Sequence, residues 1–272
     1  MKPKEIFFLN LLIIASACNS PDTGNTNKEN SATNISQNPA LKNLYQQVQQ
    51  HPDSTGLRLQ LAYTLNSLNE HKKALQQLDI LIAKDSLNYG LWFTKGEIAE
   101  NGMDTLLAMG SYSKAAKIYE SPDALLALAN LYAERKNDRA IILCSRVKAL
   151  GLGREYDAHS AFIVGVYYAR TGNRENAIKM FDECIANNYT YMEAYIEKGL
   201  VYFDEKKYVQ ALQVFEFAAT VDNLYADAYY YQARCYEMLN KKDSAIEKFQ
   251  QSLRLDNNLI EAKEGLKRLK AP

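Results

Sequence analysis

This sequence of 272 residues is short of the side chains that chemistry usually needs. Its three histidines, His51, His71 and His159, form no i, i+4 pair and meet no cysteine or carboxylate cluster at ligand spacing, so no metal site is expected. No serine, histidine and aspartate set can be assembled, and no enzymatic activity or small-molecule substrate is expected either. Gly151 and Gly153 lack the preceding strand and the third glycine of a dinucleotide loop, which leaves them as a linker and removes the argument for a cofactor. An excess of one charge is also missing. The 32 basic residues cancel the 32 acidic ones, and with that goes any global electrostatic case for nucleic acid.

What is there is a period. Small residues recur as Ala62, Gly96, Ala129, Gly165, Gly199 and Ala233, at intervals of 34, 33, 36, 34 and 34. A second column, Ala74, Ala108, Ala140, Ala177, Ala211 and Ala245, follows twelve residues later, or eleven in the third unit. A bulky residue sits four after each of these alanines (Leu78, Tyr112, Cys144, Phe181, Phe215, Phe249). Another sits three after most of the small residues (Leu65, Tyr132, Tyr168, Tyr202, Tyr236). Self-similarity at this spacing marks stacked supersecondary units.

Each unit carries two apolar runs at i, i+3, i+4 and i+7, divided by a polar turn such as RTGN, DEKK or LNKK, and this predicts a pair of antiparallel helices. Where the two cross closely only a small side chain fits, and ridge-into-groove packing needs a bulky neighbour beside it. One pair cannot bury its whole apolar stripe, so successive pairs must stack.

In these columns the chain resembles the tetratricopeptide repeat family, whose unit is a helix-turn-helix of 34 residues with this small, aromatic, alanine, aromatic order. The resemblance implies an all-α fold, a right-handed superhelical solenoid of about six units: 55–88, 89–121, 122–157, 158–191, 192–225 and 226–259. The chain departs from the family where Ser86, Tyr189, Asn223 and Asn257 replace the proline usual near a unit's end, and where Ala99 replaces an aromatic. The third unit is irregular, with a short turn and an added loop around Gly151 to Arg154, where a local kink is expected. Residues 38–52 and 260–270 read as capping helices. Cys144, Cys184 and Cys235 fall within helices and read as packing thiols; one bridge between Cys144 and Cys184, in neighbouring units, stays open.

The N-terminus has a different composition. Lys2 and Lys4 precede the apolar run IFFLNLLIIASA, which at about twelve residues is too short for the roughly 20 of a spanning helix and reads as a signal peptide over residues 1–17. Ala15, Ser16 and Ala17 before Cys18 resemble the bacterial lipoprotein signal, which implies export, acylation of Cys18 and anchoring to a membrane, with the outer membrane facing the periplasm expected. Buried acyl chains contribute about 0.8 kcal/mol per methylene, so several chains on one residue hold firmly. The polar stretch that completes 18–37 cannot sustain a core and reads as a flexible tether, spanning on the order of 25 Å.

In the resembling family, ligands lie on the concave face, lined mostly by the first helix of each pair. Carried over residue by residue, this implies inward-pointing positions at Leu59, Tyr63, Phe93, Glu97, Leu126, Asn130, Phe162, Val166, Ile196, Leu200, Tyr230 and Arg234. Asn66, Glu100, Ala133, Ala169, Phe203 and Glu237 lie one turn on. With Glu134, Arg170 and Asp204 the face carries five acids (Glu97, Glu100, Glu134, Asp204, Glu237) against two arginines, which favours a basic partner segment docked by apolar anchors. Of the residues with which some members clamp a terminal carboxylate only Asn130 is present, which disfavours chaperone-tail binding. The expected function is therefore a membrane-anchored scaffold or assembly factor of the bacterial envelope that binds a protein partner. The alternative is a glycan or peptidoglycan binder that uses the groove aromatics as stacking platforms.

Overall fold

A computed structural model describes residues 38–270, and among them every element is a helix. The chain divides into two compact units at Pro52. The first contains α1 (Pro39–Gln50), which starts under Asn38, whose side-chain oxygen accepts from the Ala40 and Leu41 amides at 3.1 Å each, with Pro39 at its first position.

The second unit is a series of helix pairs followed by one closing helix. The pairs are α2 (Thr55–Ser67) with α3 (His71–Lys84), α4 (Tyr89–Asn101) with α5 (Thr105–Ile118), and α6 (Pro122–Glu134) with α7 (Arg139–Ala149). They continue with α8 (Arg154–Thr171) and α9 (Arg174–Asn187), α10 (Met192–Asp204) and α11 (Tyr208–Val221), and α12 (Ala226–Met238) and α13 (Lys242–Leu255), closed by α14 (Ile260–Lys270). Each helix of this unit packs on the next along the chain, the pattern of an all-α helical repeat.

The two columns are the contact between the helices of a pair. A Cβ added at Gly96 would stand 2.5 Å from the Tyr112 ring, at Gly165 2.6 Å from Phe181 and at Gly199 2.2 Å from Phe215, so in these units a hydrogen is all that fits. Where the small residue is Ala62 or Ala129, the partner in the same register is the smaller Leu78 or Cys144. Phe249 shares a unit with Ala233, but its ring lies against Gly265 of α14, where an added Cβ would stand at 2.6 Å. The closing helix is thus seated by the same small-against-aromatic contact as the pairs. Phe181, Phe215 and Phe249 are 0% exposed, and each such burial stabilises by about 1.5–3 kcal/mol.

The turn inside each pair repeats as faithfully. Asn69, Met103, Lys136, Gly172, Lys206 and Asn240 all have positive φ, between 57° and 81°. The amide one residue later reaches back to the end of the first helix in every pair: Glu70 to Leu65, Asp104 to Ala99, Asn137 to Tyr132, Asn173 to Tyr168, Lys207 to Tyr202 and Lys241 to Tyr236, at 2.8–3.0 Å. This left-handed cap satisfies carbonyls that the helix end would otherwise leave open.

The third and fourth pairs break the pattern. Helix α7 has 11 residues where the other second helices have 14. Gly151 and Gly153, at φ 61° and 102°, then turn the chain. The fourth pair does not begin at Ala158, where the period places it: α8 runs 18 residues from Arg154, and the segment expected as loop is partly its first turn. The Arg154 guanidinium donates to the Ala186 carbonyl, which fixes this early start. With the second helix shortened, α8 comes directly against α6, and α6 is buried nearly all round, from Ala124 to Ala129 without a break.

Candidate functional site

The face named from the sequence divides into two unlike halves. In the first three pairs, Phe93, Glu97 and Glu100 sit at i, i+4 and i+7 on one side of α4. Phe93 is held between Tyr89, ring centroids 5.7 Å apart, and Tyr112, at 5.4 Å. Tyr63 of α2 is 48% exposed, and its hydroxyl lies 3.1 Å from that of buried Thr94 on α4. Glu97 is exposed and Asn130 is half-buried. Glu100 accepts a 2.9 Å hydrogen bond from the Tyr112 hydroxyl. Burial raises its carboxyl above the ordinary value, against the lowering effect of that bond. Arg58 donates to Gln77 at 2.9 Å and Lys95 to Asp79 at 2.6 Å, both partners on α3.

In the last three pairs the charges meet one another. Arg170 on α8 is gripped by two carboxylates, Glu134 of the preceding pair at 2.9 and 3.1 Å and Glu197 of the following pair at 3.0 and 3.1 Å. Burial by itself disfavours the Arg170 charge, but hydrogen bonds and attraction from Glu197 and Glu134 outweigh it and raise its pKa. Arg234 donates to the Tyr230 hydroxyl at 2.9 Å and lies over the rings of Phe203, at 5.6 Å, and Tyr230, at 5.9 Å. Glu237 receives Arg268 of α14 through two bonds of 2.7 and 2.8 Å, with Arg234 at 4.0 Å. Phe162 packs on Phe181 and Tyr191, while Leu200 and Phe203 pack partly buried on the core.

These positions correct the sequence reading in two ways. Val166 and Tyr230 are 2% and 5% exposed, and Leu126, Ala133 and Ile196 are buried with them; α6 lies against α8, and the Tyr230 ring packs on Tyr231 and on Phe249 of α13. Tyr230 is therefore no stacking platform for a sugar. Arg170, Arg234 and Glu237 remain on the face but are engaged within the molecule.

Two participants, Glu197 and Arg268, were not anticipated. The column two before each small residue reads Gln60, Thr94, Ala127, Ile163, Glu197 and Tyr231, and the single acid in it was the available signal. At 3% exposure that acid needs a buried counter-charge.

Cys144, Cys184 and Cys235 are free, buried thiols, each pushed up to about 12 by burial, so the open bridge is not formed. Among the described residues no group of histidines, cysteines and carboxylates could hold a metal, and no helix is long and apolar enough to cross a membrane. Cys18 lies outside the described residues.

A series of helix pairs, each packed on the next along the chain, defines an all-α helical repeat. Residues 165–219 and 226–259 each match a family model described as tetratricopeptide repeat, and these segments are tetratricopeptide repeats. Human mitochondrial import receptor subunit TOM70 is 27% identical over 132 residues, 47% of this chain and 21% of that protein. A TPR repeat-containing protein of Methanocaldococcus jannaschii is 22% identical over 229 residues, 75% of this chain and 39% of that one. The chain thus spans well under half the length of either relative. A tetratricopeptide repeat protein of Parabacteroides merdae superposes with a TM-score of 0.71 over 89% of this chain and 97% of that one, at 17% identity. PilW, a type IV pilus biogenesis factor, does so at 0.63 over 77% and 97%, at 16% identity.

Proposed function

We propose that this protein is a noncatalytic interaction scaffold of the bacterial cell envelope, held to a membrane by acylated Cys18 and gripping a segment of a protein partner on the face of its first helices. The observation that carries the reading is the repeat itself: stacked helix pairs present a long, preformed surface of aromatic and acidic side chains, Tyr63, Phe93 and Glu97 among them, suited to an extended or helical segment. The apolar run before Cys18 and the polar tether after it support the anchor. A role in assembling another envelope structure fits such a scaffold, as the name of PilW illustrates for one protein of this fold.

Two experiments test the two parts. A photoreactive residue at Phe93 is expected to crosslink a discrete protein in intact cells; capture of glycan alone sinks the reading. Cys18→Ser is expected to release the protein from membranes and abolish fatty-acid labelling, and continued labelling refutes the anchor.

A further inference from the structure

The turn that joins the first pair to the second, residues 85–88, carries Leu87 at 77% exposure, and the turn after the second pair carries Tyr119 at 64%. Printed contacts bring the two turns into one corner. The Trp92 indole nitrogen donates to the Ser86 carbonyl, next to Leu87, at 2.9 Å, and the Tyr119 ring stands edge-on to Tyr89 with centroids 5.7 Å apart. Tyr89 lies two residues after Leu87 and three before Trp92, so a leucine, two tyrosines and the chain's one tryptophan meet here. The Ser121 amide donates to the Tyr119 carbonyl at 2.8 Å, so both turns are fixed before anything binds. Flanking charges are engaged within the molecule: Lys84 meets Asp53, Glu120 meets Arg146, and Asp85 accepts from Asn88 at 3.0 Å.

The pair of Lys84 and Asp53 also shows where the chain arrives. Asp53 opens the repeat unit, so the polypeptide coming from Cys18 joins it beside the end of α3, next to the turn that bears Leu87. Between them stand the polar stretch to residue 37, on the order of 25 Å as a coil, and the 12 residues of α1, about 18 Å long. An anchor at Cys18 therefore keeps this corner within reach of the bilayer. Leu224, at the same place in the turn before the sixth pair and 71% exposed, lies four pairs further along the stack. Tyrosine and tryptophan, each an apolar body with a polar tip, favour the boundary between lipid and water.

We infer that this corner rests on the surface of the bilayer that holds Cys18, with Leu87 and Tyr119 inserted at the level of the headgroups. This rests on the anchor proposed above and adds orientation to it: the repeat docks by the corner where the chain enters. With the flanking charges engaged, the contact is apolar and requires no anionic lipid.

Trp92, as the single tryptophan, is the reporter. In protein bearing labelled fatty acid on Cys18 and bound to vesicles of brominated phosphatidylcholine, its emission is expected to be quenched, and to stay so at high salt. Leu87→Asp combined with Tyr119→Asp, at two exposed positions, is expected to cut the quenching several-fold while the protein stays on the vesicles. Leu224→Asp leaves it in place. Absence of quenching in vesicle-bound protein, indifference to the double variant, or an equal loss from Leu224→Asp overturns the inference. A photoreactive residue at Leu87 is expected to capture phospholipid in intact cells, and capture of a discrete protein instead overturns the docking while the anchor stands. Protein that takes up no fatty acid sinks the anchor and this inference with it.

Discussion

The first three helix pairs and the last three present the same kind of face and use its charges in opposite ways. From Arg170 onward, acids and arginines bond across unit boundaries, Glu134 to Arg170 to Glu197 and Glu237 to Arg268, so the face helps to hold the stack in register. In the first three pairs Tyr63 and Glu97 are exposed, Glu100 accepts from the Tyr112 hydroxyl, and Glu134, at the very end, reaches Arg170. A tally of five acids and two arginines describes the whole face, yet both arginines are already engaged in the C-terminal half. The comparison teaches that the net sign of a repeat surface says little until each charge has been assigned a partner.

The strongest way to break the comparison is Arg170→Ala. It strands Glu197, which is 3% exposed, and removal of one partner of a buried pair costs about 3–5 kcal/mol. The urea midpoint should drop accordingly, while Glu97→Gln in the other half leaves it within about 0.5 kcal/mol of the parent. Equal losses from the two variants would show that the halves do not differ.

The C-terminal half also contains a group that must stay uncharged. His159 packs 6.0 Å from Tyr191, and burial lowers its pKa to about 4 from 6.5. The unfolded chain therefore takes up the proton first, so this residue's contribution is complete above pH 6.5 and is lost as the pH falls from there through 4. The loss amounts to up to about 3 kcal/mol. Glu100 and Asp227, whose pKa burial raises, act in the opposite sense, so the measurement is the difference between the parent and His159→Gln in denaturation across this range. Parallel profiles would refute the assignment.

Glycines separate the two halves on a smaller scale. Gly199→Ala drives a methyl into Phe215, 2.2 Å away, and overpacking of this kind costs about 1–3 kcal/mol. Gly56, on the first helix of the first pair, has nothing within 4 Å of an added Cβ, so Gly56→Ala should be neutral or gain up to about 1 kcal/mol. Phe215→Leu is expected to recover much of the Gly199→Ala loss, because it recreates the Ala62 and Leu78 pairing of the first unit. Thermal midpoints of Gly199→Ala, Gly56→Ala and the Gly199→Ala, Phe215→Leu double variant decide it.

What could be read from the sequence was whatever every unit must satisfy in the same way. The small column and its aromatic neighbours recur because one close crossing recurs, and they are enough for the helix pairs and their stacking. The engaged arginines could not be read so. Arg170 was placed on the right face, but its use depends on Glu197, 27 residues later, which breaks its own column instead of following it. The early start of α8 was hidden because residues 154–157 look like charged loop unless the turn at Gly153 is known. Val166 and Tyr230 read by analogy as inward-pointing positions open to a partner, whereas packing within the repeat, of α6 on α8 and of Phe249 on Tyr230, buries them.

The left-handed state inside each turn escaped for another reason: its six positions share a backbone conformation and almost no chemistry. Only Gly172 is a glycine; Met103 and Lys206 hold the same left-handed conformation at φ 59° each. A side chain there works against its own Cβ, by roughly 1 kcal/mol. Met103→Gly and Lys206→Gly are each expected to stabilise the protein by up to about 1 kcal/mol, less whatever glycine returns as flexibility of the unfolded chain. One lies in the first three pairs and the other in the half whose arginines are bonded across units, so equal gains in chemical denaturation would show that the turn belongs to the repeat and is indifferent to the face. A gain at Met103 alone would mean that the second half is held so firmly by its ion pairs that local backbone strain no longer limits it, and the division between the halves would then reach beyond the surface into the fold.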